Sequence, residues 1–369
     1  MRTMILSCNT GEGHNSCARA IREVYDAKGE TCVVYDALKF ISPGVSRFMA
    51  WGHVFMYRHM PWFFNWGYGF AERHPKAFDE TAVPYLFFAK GASALCEEIK
   101  KREYDTVICT HPFSALMMTE VKKRIRFPLK SAFVATDYTC SPCVKNSNLD
   151  FYFLPDESLK AEFVCDNIPQ TKMVFSGIPI RQVFYEKTDK TTAKQKIGIQ
   201  KANRHFVLMC GSMGCGPMKE LVGALHKDLP KESELTVICG KNEKLQRQME
   251  RMYGMEKRIH IVGFVENVSL LLDSADLYLT KPGGISTSEA AIKGVPMVFI
   301  NAVSGCEAYN RNFFVKRGCA KAGLDIKEVE WVCETISFDD ALLKRMAQNL
   351  EQREKRNASE IIYEALRQK

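Results

Sequence analysis

A chain of 369 residues, 46% hydrophobic and 25% charged, is too long for one ordinary core and too apolar for disorder, so two domains are expected. Its formal charge of +8 fits anionic small partners or an acidic lipid surface and is too weak a signal to argue for nucleic acid. Fourteen cysteines lie scattered, many inside apolar runs (Cys8, Cys32, Cys109, Cys210, Cys239), as reduced core thiols do. The single CxxC, Cys140 to Cys143, lacks a second pair at metal spacing, so neither a disulfide framework nor a zinc site is expected.

The chain opens on MRTMILSC, a strand-like run leading straight into a glycine-rich loop, with no secretory pattern, which reads as cytosolic. Apolar runs follow at 4–8, 31–37, 106–110, 131–137 and 151–155, separated by amphipathic segments such as 15–28 and 81–102 that predict helices. After a polar stretch at 186–201 the rhythm restarts with runs at 205–211, 235–240, 259–264, 275–280 and 296–301. Fully apolar strands alternating with helices predict an α/β protein of two doubly wound parallel-sheet domains. The segment 339–369 reads as one or two charged amphipathic helices.

Residues 45–70 break this pattern, holding three of the four tryptophans with Arg47, His53, Arg58 and His59 interleaved. Charges interrupt any span of about 20 residues, so the region is no transmembrane helix. Its composition suits a bilayer interface, with Trp51, Phe55, Trp62, Phe63 and Trp66 at headgroup depth; the plainer reading is a core helix covering a sheet.

Three loops carry the chemistry. In Asn9-Thr-Gly-Glu-Gly-His14, Gly11 and Gly13 let backbone approach a ligand at a helix N-terminus, and His14 is suited to taking a proton from a hydroxyl. Gly11, Gly13 and Asp36 also sketch a dinucleotide fingerprint, but Ser16 stands at its third glycine. The loop Cys210-Gly-Ser-Met-Gly-Cys-Gly216 can hold phosphate oxygens on its N–H groups, without being a Walker loop. In Lys281-Pro-Gly-Gly-Ile-Ser-Thr-Ser-Glu289, hydroxyl residues Ser286, Thr287 and Ser288 are expected to cap a helix at a diphosphate site, with Glu289 in its first turn reaching a ribose diol.

Taken in order, NTGEGHNSCARAI, THPF (110–113), ATDY (135–138), SGIPIR (176–181), GSMG, GFVENV (263–268), KPGGISTSEAAIKGVPMV and SGCEAYN (304–310) resemble glycosyltransferase family 28 along nearly the whole chain. Within it the resemblance is to the diacylglycerol glycosyltransferases, meaning monogalactosyldiacylglycerol synthase and the processive diacylglycerol glucosyltransferases. The resemblance implies a GT-B fold, two Rossmann-like domains with a cleft between them. The acceptor-side domain would be 1–180 and the UDP-sugar domain 181–369, with terminal helices (339–369) packing back on the first. It implies an inverting, metal-free transfer of glucose or galactose from a UDP-sugar co-substrate to diacylglycerol, with no further cofactor, on the inner face of the cell membrane.

By the same resemblance His14 is the general base, with Asp137 the alternative. Phe264 and Val265 flank the uracil. Gly284, Ser286 and Thr287 meet the diphosphate with Gly211, Ser212 and Gly214 nearby, and Glu289 holds the ribose. Glu307 and Asn310 face the sugar. One position departs from the family: Cys306 stands where Gln is usual, and a thiol cannot supply an amide's paired hydrogen bonds. Lys122, Lys123, Arg124 and Arg126 form a basic cluster suited to anionic headgroups or to an ordinary solvated helix end. Three other readings compete with this one: a polyprenyl-linked acceptor or a UDP-sugar epimerase of the same fold, a nicotinamide oxidoreductase, and a catalytically weakened binding relative.

Overall fold

The computed structural model describes residues 1–200, 204–228, 230–300, 305–337, 339–352 and 356–368, with side chains for all of these except 57–59, 61, 63–65, 75 and 228. The described chain forms two compact units. One is Met1–Gln182 with Gly305, Cys306 and the residues from Arg356 on; the other runs from Val183 and resumes at Glu307.

The first unit holds strands β1 (Arg2–Ser7), β2 (Thr31–Asp36), β3 (Thr106–Cys109), β4 (Lys130–Val134), β5 (Phe151–Leu154) and β6 (Met173–Phe175). They form one parallel sheet in the order β2-β1-β3-β4-β5-β6. Its helices are α1 (Glu12–Ala27), α2 (Pro43–His59), α3 (Pro61–Arg73), α4 (Val83–Ala89), α5 (Ala92–Arg102), α6 (Pro112–Arg124) and α7 (Lys160–Cys165). The second unit holds α8 (Lys190–Lys196), β7 (Arg204–Met209), α9 (Met218–Asp228), β8 (Ser233–Ile238), α10 (Glu243–Tyr253), β9 (Ile259–Val262) and α11 (Val268–Ser274). It continues with β10 (Leu277–Thr280), α12 (Gly284–Lys293), β11 (Met297–Ile300), α13 (Cys306–Lys316), β12 (Ala320–Gly323), α14 (Ile326–Ser337) and α15 (Asp340–Glu351); α16 (Ala358–Gln368) returns to the first unit. The second sheet is also parallel, in the order β12-β11-β10-β7-β8-β9.

Local sequence explains these elements. In α1 the buried residues Cys17, Ala20, Ile21, Val24 and Tyr25 recur at the helical period, so one stripe faces the sheet. The same stripe receives α16, where Tyr363 meets Tyr25 edge-on with ring centres 5.1 Å apart. Strands β3 and β5 are buried on both faces, as parallel strands between two helix layers must be. The helix expected over 81–102 is interrupted at Lys90 and Gly91, where a side-chain carbon on Gly91 would stand 2.6 Å from Met117 Cε. The tip of the Met117 side chain packs over the bare α-carbon there, and the chain turns between the two helices. Strands β6 and β12, absent from the sequence reading, are short edge strands with weak apolar runs.

In each sheet the chain reverses its winding direction once, between β1 and β3 in the first and between β7 and β10 in the second. At such switch points the loops leaving the strand ends diverge and open a crevice, the usual place for a ligand in a doubly wound sheet.

Candidate active site

The switch point of the first sheet gathers three histidines. The loop after β1 leads into α1 and His14; the loop after β3 brings Thr110 and His111; α2 brings His53. His14 Nδ1 lies 2.7 Å from the Thr110 carbonyl oxygen. That oxygen can only accept, so Nδ1 carries the proton and Nε2 holds the lone pair. Thr136 Oγ1 lies 3.1 Å from the same Nδ1, and the Thr110 hydroxyl donates back to the His14 carbonyl at 3.2 Å. Burial pushes the His14 pKa below its ordinary 6.5, while the Asp137 carboxylate and the Thr110 carbonyl pull it upward without cancelling the drop. A base neutral at pH 7, with fixed orientation and a carboxylate near to balance the charge it gains, is what proton abstraction from an alcohol requires.

His111 lies in the THPF motif, to which the sequence gives no role, and the structure makes it a neighbour of His14. Its Nδ1 accepts the Phe113 N–H at 3.1 Å, capping α6, so Nε2 bears the proton and donates to Thr10 Oγ1 at 3.0 Å. Its ring stands edge-on to His14 with centres 4.4 Å apart. Burial, with the charges of His14 and His53 adding to it, holds His111 well below 6.5. His53 is lowered likewise, by burial first and His14 second. Neither His111, Thr110 nor Thr136 has a spacing that marks it in one sequence; the fold alone assembles them.

Asp36 takes another part than the dinucleotide reading gave it. Its carboxylate accepts the Leu38 N–H at 3.1 Å and the Ser46 hydroxyl, capping the turn after β2 and tying it to α2. Cys140 and Cys143 are buried free thiols, both pushed up chiefly by burial, Cys143 to about 12. Among the described residues no three His, Cys, Asp or Glu side chains converge as metal ligands.

In the second unit the loops after β7 and β10 flank the switch point. Gly211, Gly214 and Gly216 all take positive φ, at 71°, 53° and 120°. A side-chain carbon on Gly214 would fall 2.2 Å from the Cys239 carbonyl, and one on Gly240 2.3 Å from the Ser212 carbonyl, so these backbones touch. Lys241 N–H donates to Ser212 O at 2.9 Å and fastens the loop. Phe264 is exposed with the Lys241 ammonium 5.8 Å from its ring centre, and Val265 is half-buried. Lys281, not singled out from sequence, is buried at the end of β10, and its Cε would lie 3.3 Å from a side-chain carbon on Gly216. Its charge lowers the Cys210 thiol, Glu307 raises it, and burial, the largest cause, leaves it near 12.

The expected hydroxyl cap needs correction. The helix starts earlier, at Gly284 with Gly283 as its cap residue, because the glycine pair makes the turn. Thr287 Oγ1 donates to the Gly283 carbonyl at 2.8 Å and Ser288 Oγ to the Gly284 carbonyl at 2.7 Å, back-bonding into the helix instead of capping its N–H groups. Ser286 stays half-buried in the first turn; Glu289 falls one turn on and is half-buried. Asn310 is fully buried and donates to the Pro282 carbonyl at 2.9 Å, linking α13 to this loop, and Glu307 stands in the first turn of α13. Gly13 lies in the first turn of α1.

The aromatic stretch forms two helices, α2 and α3, and does not cover the sheet as a core helix would. Trp51, Phe55, Trp62 and Trp66 are 61%, 41%, 64% and 55% exposed, and Trp51 stacks on Phe55 with ring centres 5.2 Å apart. The Phe63 side chain lies outside the described residues. Among the described residues no helix is long and apolar enough to cross a membrane. The basic cluster at the end of α6 is occupied within the protein: Lys122 pairs with Asp150, Lys123 with Glu80 and Glu120, Arg124 donates to Ser93, and Arg126 to the Lys123 carbonyl.

Known proteins match both units. Residues 14–180 fit the family model for monogalactosyldiacylglycerol (MGDG) synthase, and residues 205–367 that for the glycosyltransferase family 28 C-terminal domain. The processive diacylglycerol beta-glucosyltransferase of Bacillus subtilis is 26% identical, over 98% of this chain and 94% of that one. The Bacillus mycoides protein of the same name is 28% identical, over 94% and 88%. Among solved structures, Acinetobacter baumannii MurG superposes with a TM-score of 0.67 at 12% identity, covering 100% of this chain and 99% of that one. UDP-GlcNAc 2-epimerase from Neisseria meningitidis, bound to UDP-GlcNAc, gives 0.64 at 15% identity over 100% of both. These structural likenesses establish the fold, the GT-B pair of parallel sheets.

Proposed function

We propose that this chain, which belongs to glycosyltransferase family 28 by the matches of both its halves, transfers glucose or galactose from a UDP-sugar to the hydroxyl of diacylglycerol. The observation that carries the reading is His14, held by Thr110 so that a neutral Nε2 remains to receive the hydroxyl proton. As the proton moves to Nε2, the lipid oxygen bonds to the anomeric carbon from the face opposite the diphosphate. The sugar–oxygen bond to UDP breaks, and its electron pair stays on the β-phosphate. The N-terminus of α12 and the loop 211–216 stabilise that charge with backbone N–H groups. Asp137 balances the imidazolium, which then returns its proton to water. Phe264 and Val265 hold the uracil, Glu289 the ribose, and Glu307 and Asn310 the sugar. The relatives' names make glucose the first donor to try.

The acceptor stays in a bilayer, so the enzyme docks there as a peripheral protein of the inner face, through the exposed rings of α2 and α3. UDP release measured with UDP-glucose and UDP-galactose tests the reaction: it is expected only with vesicles containing diacylglycerol. Release indifferent to diacylglycerol would refute the acceptor. Serine at both Trp62 and Trp66 is expected to weaken vesicle sedimentation about tenfold to a hundredfold, since each ring loses apolar burial. UDP affinity in that variant should match wild type.

A further inference from the structure

Helix α2 lies wholly in the first unit and carries unlike residues on its two sides. Phe48, Trp51 and Phe55 form an exposed stripe, with Phe48 to Trp51 at 6.4 Å and Trp51 stacked on Phe55. At about 100° per residue, His53 projects roughly 170° away from the middle of that stripe. The start of the helix is pinned: the Ser42 hydroxyl oxygen accepts the Val45 N–H at 3.1 Å, and the Ser46 hydroxyl donates to Asp36 at the end of β2. So held, half-buried His53 meets the loop after β1. A side-chain carbon built on Gly11 would stand 3.8 Å from His53 Nε2, at ordinary contact. Among the described residues no other atom beyond Gly11's chain neighbours comes within 4 Å of that point.

Gly11 is the cap residue of α1, and His14 sits in the first turn that follows, so His53 borders the same loop as the proposed base. Burial first, and the charge of His14 second, hold His53 below 6.5, which leaves its ring neutral at pH 7. A neutral imidazole has one N–H to donate. His111 is engaged differently: its two nitrogens are taken by the Phe113 N–H and by Thr10, so it frames the site and contacts no substrate. Diacylglycerol brings two kinds of oxygen to such a place. One is the hydroxyl that attacks; the other is the ester carbonyl on the adjacent carbon, which can only accept. A helix is about 10 Å across, so a lipid with its chains on the aromatic side of α2 presents its glycerol on the His53 side once partly withdrawn from the bilayer.

We propose that His53 is a specificity-determining residue of the acceptor site: its Nε2–H donates to the ester carbonyl beside the reacting hydroxyl, while His14 takes the hydroxyl proton. The proposal rests on the acceptor and base readings above. It makes the enzyme a reader of acylglycerols, able to tell an ester from an ether next to the same alcohol.

The experiment uses the full chain and vesicles of anionic phospholipid carrying equal mole fractions of either 1-alkyl-2-acylglycerol or 1,2-dialkylglycerol, which differ by one carbonyl. UDP release gives kcat/KM for each acceptor with whichever of UDP-glucose and UDP-galactose supports turnover. Wild type should favour the acyl compound about threefold to tenfold, the range for one neutral hydrogen bond. His53→Leu should bring that ratio close to one, while His53→Gln, which keeps an N–H donor near the Nε2 position, should restore much of it. A merely structural role for His53 would slow both acceptors and leave the ratio as it was, and that outcome overturns the proposal. The melting transition shows whether the leucine variant is folded; where it is not, wild type and the glutamine variant carry the test. Equal rates with the two acceptors in wild type, or a ratio lost in His53→Gln, overturn the proposal and leave the acceptor reading standing. Wild type that uses neither these acceptors nor diacylglycerol itself refutes the acceptor reading, and the role of His53 goes with it.

Discussion

Replacing His14 by alanine is expected to lower diacylglycerol-dependent UDP release about a hundredfold to ten-thousandfold, the range for loss of a positioned general base. UDP binding should be unchanged, because His14 is not among the residues proposed to hold the nucleotide. The pH profile supplies a second check. Burial lowers the His14 pKa below 6.5, so the base is already neutral at pH 7 and activity should hold level there. The rate falls only as pH drops through the lowered value and the ring takes a proton before the substrate can give one. Asp137 raises that value. Removing its charge with Asp137→Asn should move the acidic limb to still lower pH while reducing the maximal rate, since the imidazolium loses its counter-charge. If Asp137 is itself the base, the asparagine variant will be the more severely damaged and the His14 variant will keep most of its rate.

The largest effect on stability is expected at Lys293. Its ammonium sits 2.8 Å from Asp273 Oδ2, with the two side chains 1% and 2% exposed, and also donates to the Glu186 carbonyl. Lys293→Met would leave a carboxylate buried with only the Thr188 N–H, at 3.2 Å, to answer it. Losing one member of such a pair costs about 3–5 kcal/mol. Lys293→Met with Asp273→Leu should recover much of this, because the cost lies mainly in the stranded charge. Recovery would be partial, as the Thr188 N–H would then lack its acceptor, roughly 1–3 kcal/mol. Urea titration of the three proteins measures it. A single variant as stable as wild type would show that water reaches the pair. Lys293 closes the last turn of α12, where a cation also favours the helix end, so the loop proposed to hold the donor at the other end of this helix depends on the pair for its seat.

Much of the fold could be read from the chain because parallel strands buried on both faces are nearly continuous apolar runs. Runs such as 205–211 and 296–301 contain β7 and β11. Elements whose residues answer to tertiary contacts were the ones misread. The helix expected over 81–102 breaks at Lys90 and Gly91, where the Met117 tip packs, and Ser288 follows a strong capping pattern yet bonds backward, because the glycine pair starts the helix first. The site divides the same way. His14 stands out because a glycine loop precedes it and a helix follows. His111 and His53 come from separate segments, and only the sheet order and the packing of α2 give them neighbours.

The contact of α16 with α1 bears on how the protein is made. The apolar stripe with Tyr25 is completed by Tyr363, more than three hundred residues later, and Lys130 Nζ donates to the Leu366 carbonyl at 2.7 Å. During synthesis the first sheet emerges long before the helix that covers this flank. The second unit, with both its edges of chain attached, must therefore fold as an insertion while its host is unfinished. A fragment ending near Gln182 would expose the Ile21 and Tyr25 side of α1 to water and to other nascent chains.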